Sequence, residues 1–345
     1  MWHGQINGPW PARMRPARGT RTSAAATCVL AVLVAGCGAS QSPGVPAPVY
    51  GEPVPAGVLV LPSASLPPGT VGSHQNCDLV DSLRPSGPLP PPGHMPAGSA
   101  MATIFKNKYL RVGVDQTTYL DGYRDPRTGQ LQGFDIDVAR QIAQAIFGNP
   151  DDVQFKAITQ SQRIPMIESG AVDIVADSMT ITCDRKKHVA FSTDYFNAGE
   201  QVLVPKDSPV TGIGDLGGKK VCAAAGTTSI QVIAAEPSHP IPVAVNNWTD
   251  CLVMLEQGQI AAISTDNSIL AGLEAQDPQT KLVGPLFTSE QHGIAMSRNA
   301  PDLVRFVNAV LERMRTDGEW TYLYKKWFGT RLGPVPAPPA PSYSG

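Results

Sequence analysis

The sequence predicts an α/β protein with two lobes, each a mostly parallel sheet flanked by helices, and a two-strand hinge that joins them. Three observations lead to this fold. Strands and helices alternate from residue 110 onward, the same alternation restarts at Lys220, and two extended stretches connect the two units. Such βαβ repetition is typical of parallel sheets that carry helices on their faces. A chain that leaves one lobe, builds the other and returns should leave a cleft beside the hinge.

The first unit contains three predicted strands with two helices between them. The longer helix carries its apolar residues at helical spacing after Gly133 and Phe134, and we expect Asp135 to cap it. The predicted elements are the strand Leu110–Val114, the helix 135–147, the strand Val153–Ala157, the helix 164–169 and the strand 171–176.

The second unit repeats this order, and the chain then returns to the first lobe. We expect the two connecting stretches, Glu200–Pro205 and 293–296, to form the hinge, and helices 302–316 and 320–328 to complete lobe 1. The predicted elements of the second unit are the strand Lys220–Ala224, a helix from Thr228, a strand at 243–245, the helix 249–257, the strand 261–264 and a helix from Asp266.

The first 36 residues have the composition of a lipoprotein signal peptide. Four arginines and no acidic residue precede a 13-residue run of small and apolar residues, which is too short to span a bilayer of ~30 Å as a helix. The run ends in Val34-Ala35-Gly36-Cys37, which resembles a bacterial lipobox, so we expect acylation of Cys37. The alternative is an ordinary secretory signal with Cys37 incidental. In both cases the formal charge falls from −2 to −6, because four arginines leave with the signal.

Prolines are concentrated outside the predicted body. Of the 33 prolines, 14 fall between residues 38 and 100 and 5 follow residue 333. Such composition favours extended polyproline II chain. We therefore expect residues 37–76 to form a tether and residues 334–345 to form a disordered tail. The remaining boundaries place lobe 1 at 77–200, lobe 2 at 201–295 and the return to lobe 1 at 296–333.

Four cysteines remain after the signal and Cys37 are set aside. An even number in an exported chain suggests two disulfides, with three possible connectivities. We favour Cys222–Cys251 within lobe 2 and Cys77–Cys183, which would attach the end of the tether to lobe 1. Four buried free thiols are the alternative.

Composition and spacing also argue against two classes of protein. With 27 Lys and Arg against 29 Asp and Glu, there is no basic excess to neutralise a phosphate backbone, so nucleic-acid binding is disfavoured. A metal site is not expected, because the chain has no CxxC spacing and its six histidines are scattered.

Seven short motifs follow one another along the predicted body. They are Gly133-Phe134-Asp135-Ile136-Asp137, Arg163-Ile164-Pro165, Gly170-x-Val172-Asp173, Met179-Thr180-Ile181-Thr182-x-x-Arg185, Phe191-Ser192, Asp215-Leu216-x-Gly218-Lys219 and Gly226-Thr227-Thr228. In order and spacing they resemble those of the polar amino-acid-binding proteins of ABC importers. The resemblance covers about residues 104–330 and implies the type II periplasmic-binding-protein fold, with glutamate and glutamine binders as the nearest branch.

This resemblance implies where the α-carboxylate of an amino acid binds. Arg185 offers a planar guanidinium fork that matches a carboxylate. The turn formed by Ser178, Met179 and Thr180 supplies amide and hydroxyl donors beside it. The alternatives are that Arg185 lies on a solvated helix face and that Ser178 and Thr180 cap the short helix near Cys183.

Lobe 2 is expected to complete the site. Gly226 and Thr228 stand at a predicted helix start, where backbone N–H groups favour an anion, and Asp266 is the acidic candidate for the ammonium group. Because donors and acceptor come from both lobes, a ligand would stabilise the closed state. Asp266 and Thr228 could instead be simple helix caps.

Cues to the ligand side chain conflict. The resemblance implies that Arg163 contacts a side-chain carboxylate and that Asp115 lies against a carboxamide. The aromatic side chain of Tyr119 could line the cleft. Arg163 could instead form a surface ion pair, Asp115 could cap its own loop, and Tyr119 could be a core residue. We expect a small ligand set of glutamate, aspartate, glutamine and asparagine.

These expectations describe a monomeric, lipid-anchored binding protein on the extracytoplasmic face of the cell membrane, without a cofactor or a catalytic residue. Its partner would be an ABC permease that receives the ligand or, alternatively, a membrane sensor protein that reads the closed form. A lyase or dehydratase on the same fold is the rival class, since fold alone does not give function. Against an enzyme, the chain has no Gly-x-Ser-x-Gly and no His-Glu-x-x-His motif.

Overall fold

The computed structural model describes residues 53–61, 77–329 and 331–344. Its strands in chain order are β1 (Leu59–Val60), β2 (Asp81–Leu83), β3 (Leu110–Val114), β4 (Thr117–Thr118), β5 (Gly122–Arg124), β6 (Leu131–Gln132), β7 (Val153–Ala157), β8 (Ile174–Val175), β9 (Ala190–Phe191), β10 (Phe196–Ala198), β11 (Glu200–Pro205), β12 (Lys220–Ala224), β13 (Ile241–Val245), β14 (Ala262–Asp266), β15 (Thr280–Val283), β16 (Glu290–His292), β17 (Ala295–Met296) and β18 (Ser342–Ser344).

The helices are α1 (Ala100–Asn107), α2 (Phe134–Phe147), α3 (Arg163–Glu168), α4 (Cys183–Lys186), α5 (Thr228–Ala235), α6 (Trp248–Glu256), α7 (Asn267–Gln276), α8 (Pro301–Thr316) and α9 (Glu319–Trp327). Within the described ranges, none of them combines the length and apolar character that a membrane span requires.

Lobe 1 is built on a five-stranded sheet in the order β7-β3-β8-β17-β9. Strand β3 runs parallel to β7 and β8, whereas β17 is antiparallel to β8 and β9. Helices α2, α8 and α9 pack against one another, and the ring of Phe134 meets those of Phe196, Trp320 and Phe328. These rings are buried with the apolar strand residues and form the larger hydrophobic core.

Lobe 2 is built on a six-stranded sheet in the order β1-β13-β12-β14-β11-β15. The central strand β12 is parallel to β13 and β14, and β11 is antiparallel to β14 and β15. A second hydrophobic core fills this lobe, with Trp248 and Leu203 fully buried in it. The two separate cores give the two lobes that the repeated strand–helix alternation predicts.

The chain crosses between the lobes at β10 and β16. These strands pair antiparallel, with Asn197 opposite Gln291. The stretches predicted as hinge strands lie beside them, because β11 already belongs to the lobe 2 sheet and β17 to the lobe 1 sheet. The prediction placed the crossings a few residues too late, since an extended sequence does not show which sheet it joins.

Helix α2 begins differently from the prediction. Gly133 takes the capping position without a side-chain hydrogen bond, so the prediction that Asp135 caps this helix is wrong. The Asp135 carboxylate instead accepts from the amide of Ser178 at 2.8 Å and from the hydroxyl of Tyr195 at 2.5 Å. This carboxylate therefore joins the helix start to the loop after β8.

Both predicted disulfides are confirmed. Cys77 pairs with Cys183 at a Cα separation of 5.9 Å, and Cys222 pairs with Cys251 at 5.7 Å. The first attaches the residues before β2 to α4 of lobe 1. The second joins β12 to α6 inside the lobe 2 core, where both cysteines are fully buried.

Part of the predicted tether lies on lobe 2. Leu59–Val60 pairs antiparallel with β13, the amide of Leu61 donates to the Pro242 carbonyl at 2.9 Å, and Gln259 Nε2 donates to the Pro53 carbonyl at 2.7 Å. The tether prediction is therefore wrong for residues 53–61, because proline content does not reveal an unpaired strand edge on the folded body. The signal peptide, Cys37 and residues 62–76 lie outside the described residues.

The prediction of a disordered tail is wrong as well. Strand β18 runs parallel to β2, and the Tyr343 hydroxyl donates to Glu312 Oε1 at 2.7 Å. The guanidinium of Arg84 lies 5.0 Å from the centre of the Tyr343 ring, and Pro339 is buried. The composition of the tail did not reveal that its last residues pair with the edge of β2.

Candidate functional site

A small cavity lies between the two lobes. Its lining is polar and comes from both sides. Lobe 1 contributes Thr118, Gln160, Arg163, Asp177, Ser178, Thr180 and Arg185, and lobe 2 contributes Thr227, Thr228, Ser229, Trp248, Thr265, Asp266 and Ile269. The predicted residues that reach this cavity are therefore Arg163, Arg185, Ser178, Thr180, Thr228 and Asp266.

Arg185 is held by the short helix α4. The Thr182 hydroxyl caps this helix by accepting from the Arg185 amide at 3.2 Å. The guanidinium donates from Nη1 to the Thr180 carbonyl at 2.6 Å and from Nη2 to the Gly226 carbonyl at 3.2 Å, which spans the two lobes. Burial, and then the charge of Arg163, lower the pKa of Arg185 to about 9, so it stays protonated at neutral pH.

Arg163, at the start of α3, lies beside it and is buried. Its Nε donates to the Gln160 carbonyl at 2.9 Å, Nη1 to the Asp177 carbonyl at 3.0 Å and Nη2 to the Gly226 carbonyl at 3.3 Å. Burial lowers the pKa of Arg163 too, although the nearby carboxylates oppose this. Within the part of the chain that the structure describes, these two adjacent guanidiniums donate only to neutral carbonyls, which makes this wall of the cavity attractive to an anion.

Gly226 is placed by its conformation as well as by these bonds. Its φ of 80° lies in the left-handed region that glycine adopts without strain. A Cβ at this position would lie 2.7 Å from the Cα of Ser161 in lobe 1. The carbonyl of Gly226 reaches both guanidiniums because no side chain separates the two lobes here.

Two hydroxyls meet across the lobes. The Oγ1 atoms of Thr180 and Thr228 lie 3.3 Å apart, and Thr228 donates to Glu290 Oε2 at 3.3 Å. The cap of α5 is Thr227, whose hydroxyl accepts from the Ile230 amide. Thr228 is therefore the first residue of the helix and not its cap.

Asp266 ends β14 and faces the cavity from lobe 2. Its Oδ2 lies 2.8 Å from Nε2 of His292 on the hinge strand β16, and both side chains are buried. Its Oδ1 is buried without a partner among the described residues. The sequence did not point to His292, because 26 residues separate it from Asp266.

The turn after β8 contributes less than expected. The Ser178 amide and hydroxyl both donate to Asp135, at 2.8 and 3.1 Å, and the hydroxyl also lies 3.3 Å from Asp121. Ser178 has a φ of 41° and lines the cavity, but these bonds occupy its donors. Met179 does not line the cavity, because its side chain is buried in an apolar cluster of lobe 1.

Asp115 lies behind the cavity wall. Its carboxylate accepts from the Thr117 amide at 2.7 Å, the Thr118 hydroxyl at 2.7 Å and Gln160 Nε2 at 2.6 Å. These bonds shape its own loop and position Gln160 and Thr118, which do line the cavity. The structure thus places Asp115 one layer away from the expected ligand contact.

Tyr119 also lies outside the cavity lining. Its ring packs on Tyr123 at a centroid distance of 4.7 Å, and its carbonyl faces Gly272 of α7. Trp248, buried in lobe 2, is the aromatic side chain in the lining.

Sequence reasoning missed several lining residues, of which Asp177 is the most polar. Asp177 follows β8, is 4% exposed, and has a buried Oδ2 without a hydrogen-bond partner in the described part of the chain. Burial raises the pKa of Asp177 well above its usual range, and Arg163 opposes this. No sequence motif identifies Asp177 as a lining residue, because its position in the cavity depends on where strand β8 ends.

Comparison with known proteins gives matches over this same region. Residues 110–330 match the bacterial extracellular solute-binding proteins, family 3. The ABC transporter glutamine-binding protein GlnH of Bacillus subtilis is 40% identical over 228 residues, which cover 66% of this chain and 84% of that protein. The glutamate/aspartate import solute-binding protein of Salmonella typhimurium is 28% identical over 249 residues, covering 69% and 82%.

The fold has solved counterparts. The L-cysteine solute receptor of Neisseria gonorrhoeae superposes with a TM-score of 0.64 at 27% identity, covering 68% of this chain and 97% of that one.

Proposed function

Because the chain belongs to the bacterial extracellular solute-binding proteins, family 3, we propose that it is an extracytoplasmic protein that closes its lobes on a polar amino acid and delivers it to an ABC importer. We further propose that Cys37 carries the lipid anchor, that the protein acts as a monomer and that it catalyses no reaction. The names of the relatives, glutamine-binding and glutamate/aspartate import proteins, support both the ligand class and the importer.

One observation carries the proposal: two guanidiniums of lobe 1 and the Asp266 carboxylate of lobe 2 line one cavity. An amino acid brings a carboxylate and an ammonium group, and moving either out of water is costly unless fixed opposite charges replace the water. Arg185 would take the α-carboxylate, and the free Oδ1 of Asp266 would accept from the α-ammonium group. Because these residues belong to different lobes, the ligand gains both contacts only when the lobes are closed.

The rest of the cavity suits a short polar side chain. Arg163 and Asp177 provide a donor group and an acceptor beside the two backbone-binding residues, and Thr118 and Gln160 complete this side. Trp248 covers the apolar part of the ligand. These contacts favour the set glutamate, aspartate, glutamine and asparagine.

A thermal-shift screen of the twenty amino acids on the detergent-solubilised full-length protein tests the proposal. A ligand that binds only the folded state stabilises it by mass action and so raises the melting temperature. At a ligand concentration of a hundred times the Kd, the free energy of unfolding rises by about 2.7 kcal/mol. We expect shifts from the four amino acids of the set. Shifts confined to lysine, arginine or histidine would contradict the ligand class, and no shift from any amino acid would contradict the function.

Two further measurements address the partner and the absence of chemistry. Affinity capture with the ligand-loaded protein should recover an ABC permease, whereas recovery of a membrane sensor protein instead would contradict delivery. Mass spectrometry of ligand recovered after long incubation should find it unchanged, and a lyase or dehydratase product would contradict a purely binding role.

A further inference from the structure

Asp177 brings an acceptor to the cavity that the proposed contacts with the amino-acid backbone do not use. Its Oδ2 is buried and unpartnered within the described residues, and its main-chain carbonyl, not its carboxylate, accepts from Arg163. Leaving a buried acceptor unpaired is unfavourable, because the group has lost its hydrogen bonds to water. A ligand that donates a hydrogen bond to this oxygen therefore gains affinity.

The charges around this carboxylate come from several elements. Burial raises the pKa of Asp177 well above its usual range; among its neighbours, the arginines lower it and the other carboxylates raise it further. The groups that face it are Arg163 of α3, Arg185 of α4, Asp115 after β3, Asp135 of α2 and the phenol of Tyr195. Asp266, paired with His292, faces the same cavity from lobe 2.

The remaining charges constrain the ligand side chain. If Arg185 and Asp266 hold the two ends of the amino-acid backbone, the side chain meets Arg163 and Asp177 together. A carboxamide can accept from the guanidinium and donate its NH₂ group to the free carboxylate oxygen. A carboxylate can only accept, so it satisfies Arg163 and faces Asp177 with a like charge.

We propose that Asp177 makes the cavity distinguish amide from acidic ligands by protonation. Glutamine and asparagine bind with Asp177 unchanged, whereas glutamate and aspartate bind together with one proton. That proton comes from solvent and stays on the Asp177 carboxyl, which then donates to the ligand carboxylate. Two carboxylates that share one site share one proton for the same reason. The inference rests on the proposed function and adds the residue that sets the choice within its ligand set.

Calorimetric titration in two buffers with different ionisation enthalpies tests this on the detergent-solubilised full-length protein. As the pH is raised from 7 to 9, we expect proton uptake to rise towards one proton for each glutamate or aspartate bound, and to exceed the uptake for glutamine or asparagine throughout. In Asp177→Asn the uptake should vanish, and the affinity for glutamate relative to glutamine should rise about tenfold or more. Asp194→Asn is the matched control, because Asp194 is a buried lobe 1 carboxylate with a raised pKa that does not line the cavity.

The possible results distinguish failure of this inference from failure of the proposed function. Acidic ligands that bind the wild type without proton uptake, or uptake that persists in Asp177→Asn, would overturn the inference and leave the function standing. If the wild type binds amides but no acid, the variant should gain acid binding, and no gain would overturn it equally. If none of the four amino acids binds the wild type, the proposed ligand class fails and the inference with it. The wild-type measurement holds whether or not the variant folds.

Discussion

Gly272 of α7 in lobe 2 packs directly against the carbonyl oxygen of Tyr119 in lobe 1. A Cβ at position 272 would lie well inside van der Waals contact with that oxygen, and the main-chain atoms of Tyr119 cannot swing aside as a flexible side chain could. Gly272 is buried in the interior of a helix, where glycine costs about 0.5–1 kcal/mol relative to alanine. Glycine at this position therefore lowers the stability of the helix but allows the two lobes to approach closely.

We expect Gly272→Ala to weaken ligand binding by keeping the lobes apart. Overpacking costs about 1–3 kcal/mol, which corresponds to an affinity loss of about 5- to 150-fold. Titration calorimetry gives the affinity, and small-angle scattering with saturating ligand should show a more extended particle than the wild type. Gly214→Ala is the control, since its added Cβ meets nothing within 4 Å. An unchanged affinity would show that closure does not depend on this contact.

The two disulfides should differ in their reactivity. Cys222 and Cys251 are fully buried, whereas Cys77 is exposed at the surface. Because thiol–disulfide exchange requires access to a sulfur atom, a mild reductant should open Cys77–Cys183 in the folded protein and leave Cys222–Cys251 intact until unfolding. Among the four disulfide cysteines, alkylation followed by mass spectrometry should find Cys77 and Cys183 modified under native conditions and all four modified in denaturant with reductant. Four under native conditions would contradict the burial of the lobe 2 bridge.

Much of the fold follows from pattern alone. The strands Leu110–Val114 and Lys220–Ala224 have the predicted bounds. Apart from Arg111 and Lys220 they consist of small and apolar residues, as expected of buried strands in a parallel sheet. Cysteine parity and the division into lobes were enough to favour the two disulfides. The docked segment 53–61 and strand β18 were not predictable in this way, since each depends on a free sheet edge that only the folded body presents.

The residues of the candidate site also differ in how far the sequence alone predicts their positions. Arg185, Arg163 and Asp266 belong to local motifs or strand ends, so their sequence positions indicated where they lie. Asp115 and Asp177 stand at the ends of adjacent strands, yet only Asp177 lines the cavity. Which of the two faces the ligand depends on the loop bonds that bind the Asp115 carboxylate, and these have no signature in composition or spacing.

Asp121 should destabilise the protein as the pH rises. Burial, and then the charge of Asp135, raise the pKa of Asp121 well above its usual range, and its Oδ2 has no partner in the described residues. The folded state therefore binds more protons than the unfolded state, so this group's contribution is present at acidic pH and is lost as the pH rises through the folded pKa.

Asp121→Asn should accordingly melt at a higher temperature than the wild type at pH 8, and the difference should shrink towards pH 4. Melting curves recorded across this pH range give the dependence of the melting temperature on pH for the wild type and for the variant. Asp215→Asn serves as a control, because hydrogen bonds from Thr211 lower the pKa of Asp215 below its usual value of 3.8. Its contribution therefore changes only at more acidic pH, and its difference from the wild type should stay constant across this range. A wild type and an Asp121→Asn variant with parallel pH profiles would contradict the prediction.

Strand β18 should stabilise lobe 1 without changing the affinity for the ligand. Ending the chain at Gly333 removes β18 and the bond from Tyr343 to Glu312. A hydrogen bond to a charged group is worth about 1.5–3 kcal/mol, and each kcal/mol lost lowers Tm by about 2–4 °C. Calorimetry should show an unchanged Kd, and Tyr343→Phe should reproduce part of the Tm loss. A truncated protein with the wild-type Tm would contradict a stabilising role.

The affinity of Arg185→Gln for the amino acid that shifts the wild type most is the measurement that decides whether the cavity grips a zwitterion. Loss of a charged hydrogen bond of about 1.5–3 kcal/mol should weaken binding about 10- to 150-fold by calorimetry, while Arg127→Gln, at a side chain that is 88% exposed, should leave it unchanged. A Kd for Arg185→Gln equal to that of the wild type would contradict the proposed binding of the ligand carboxylate between the lobes.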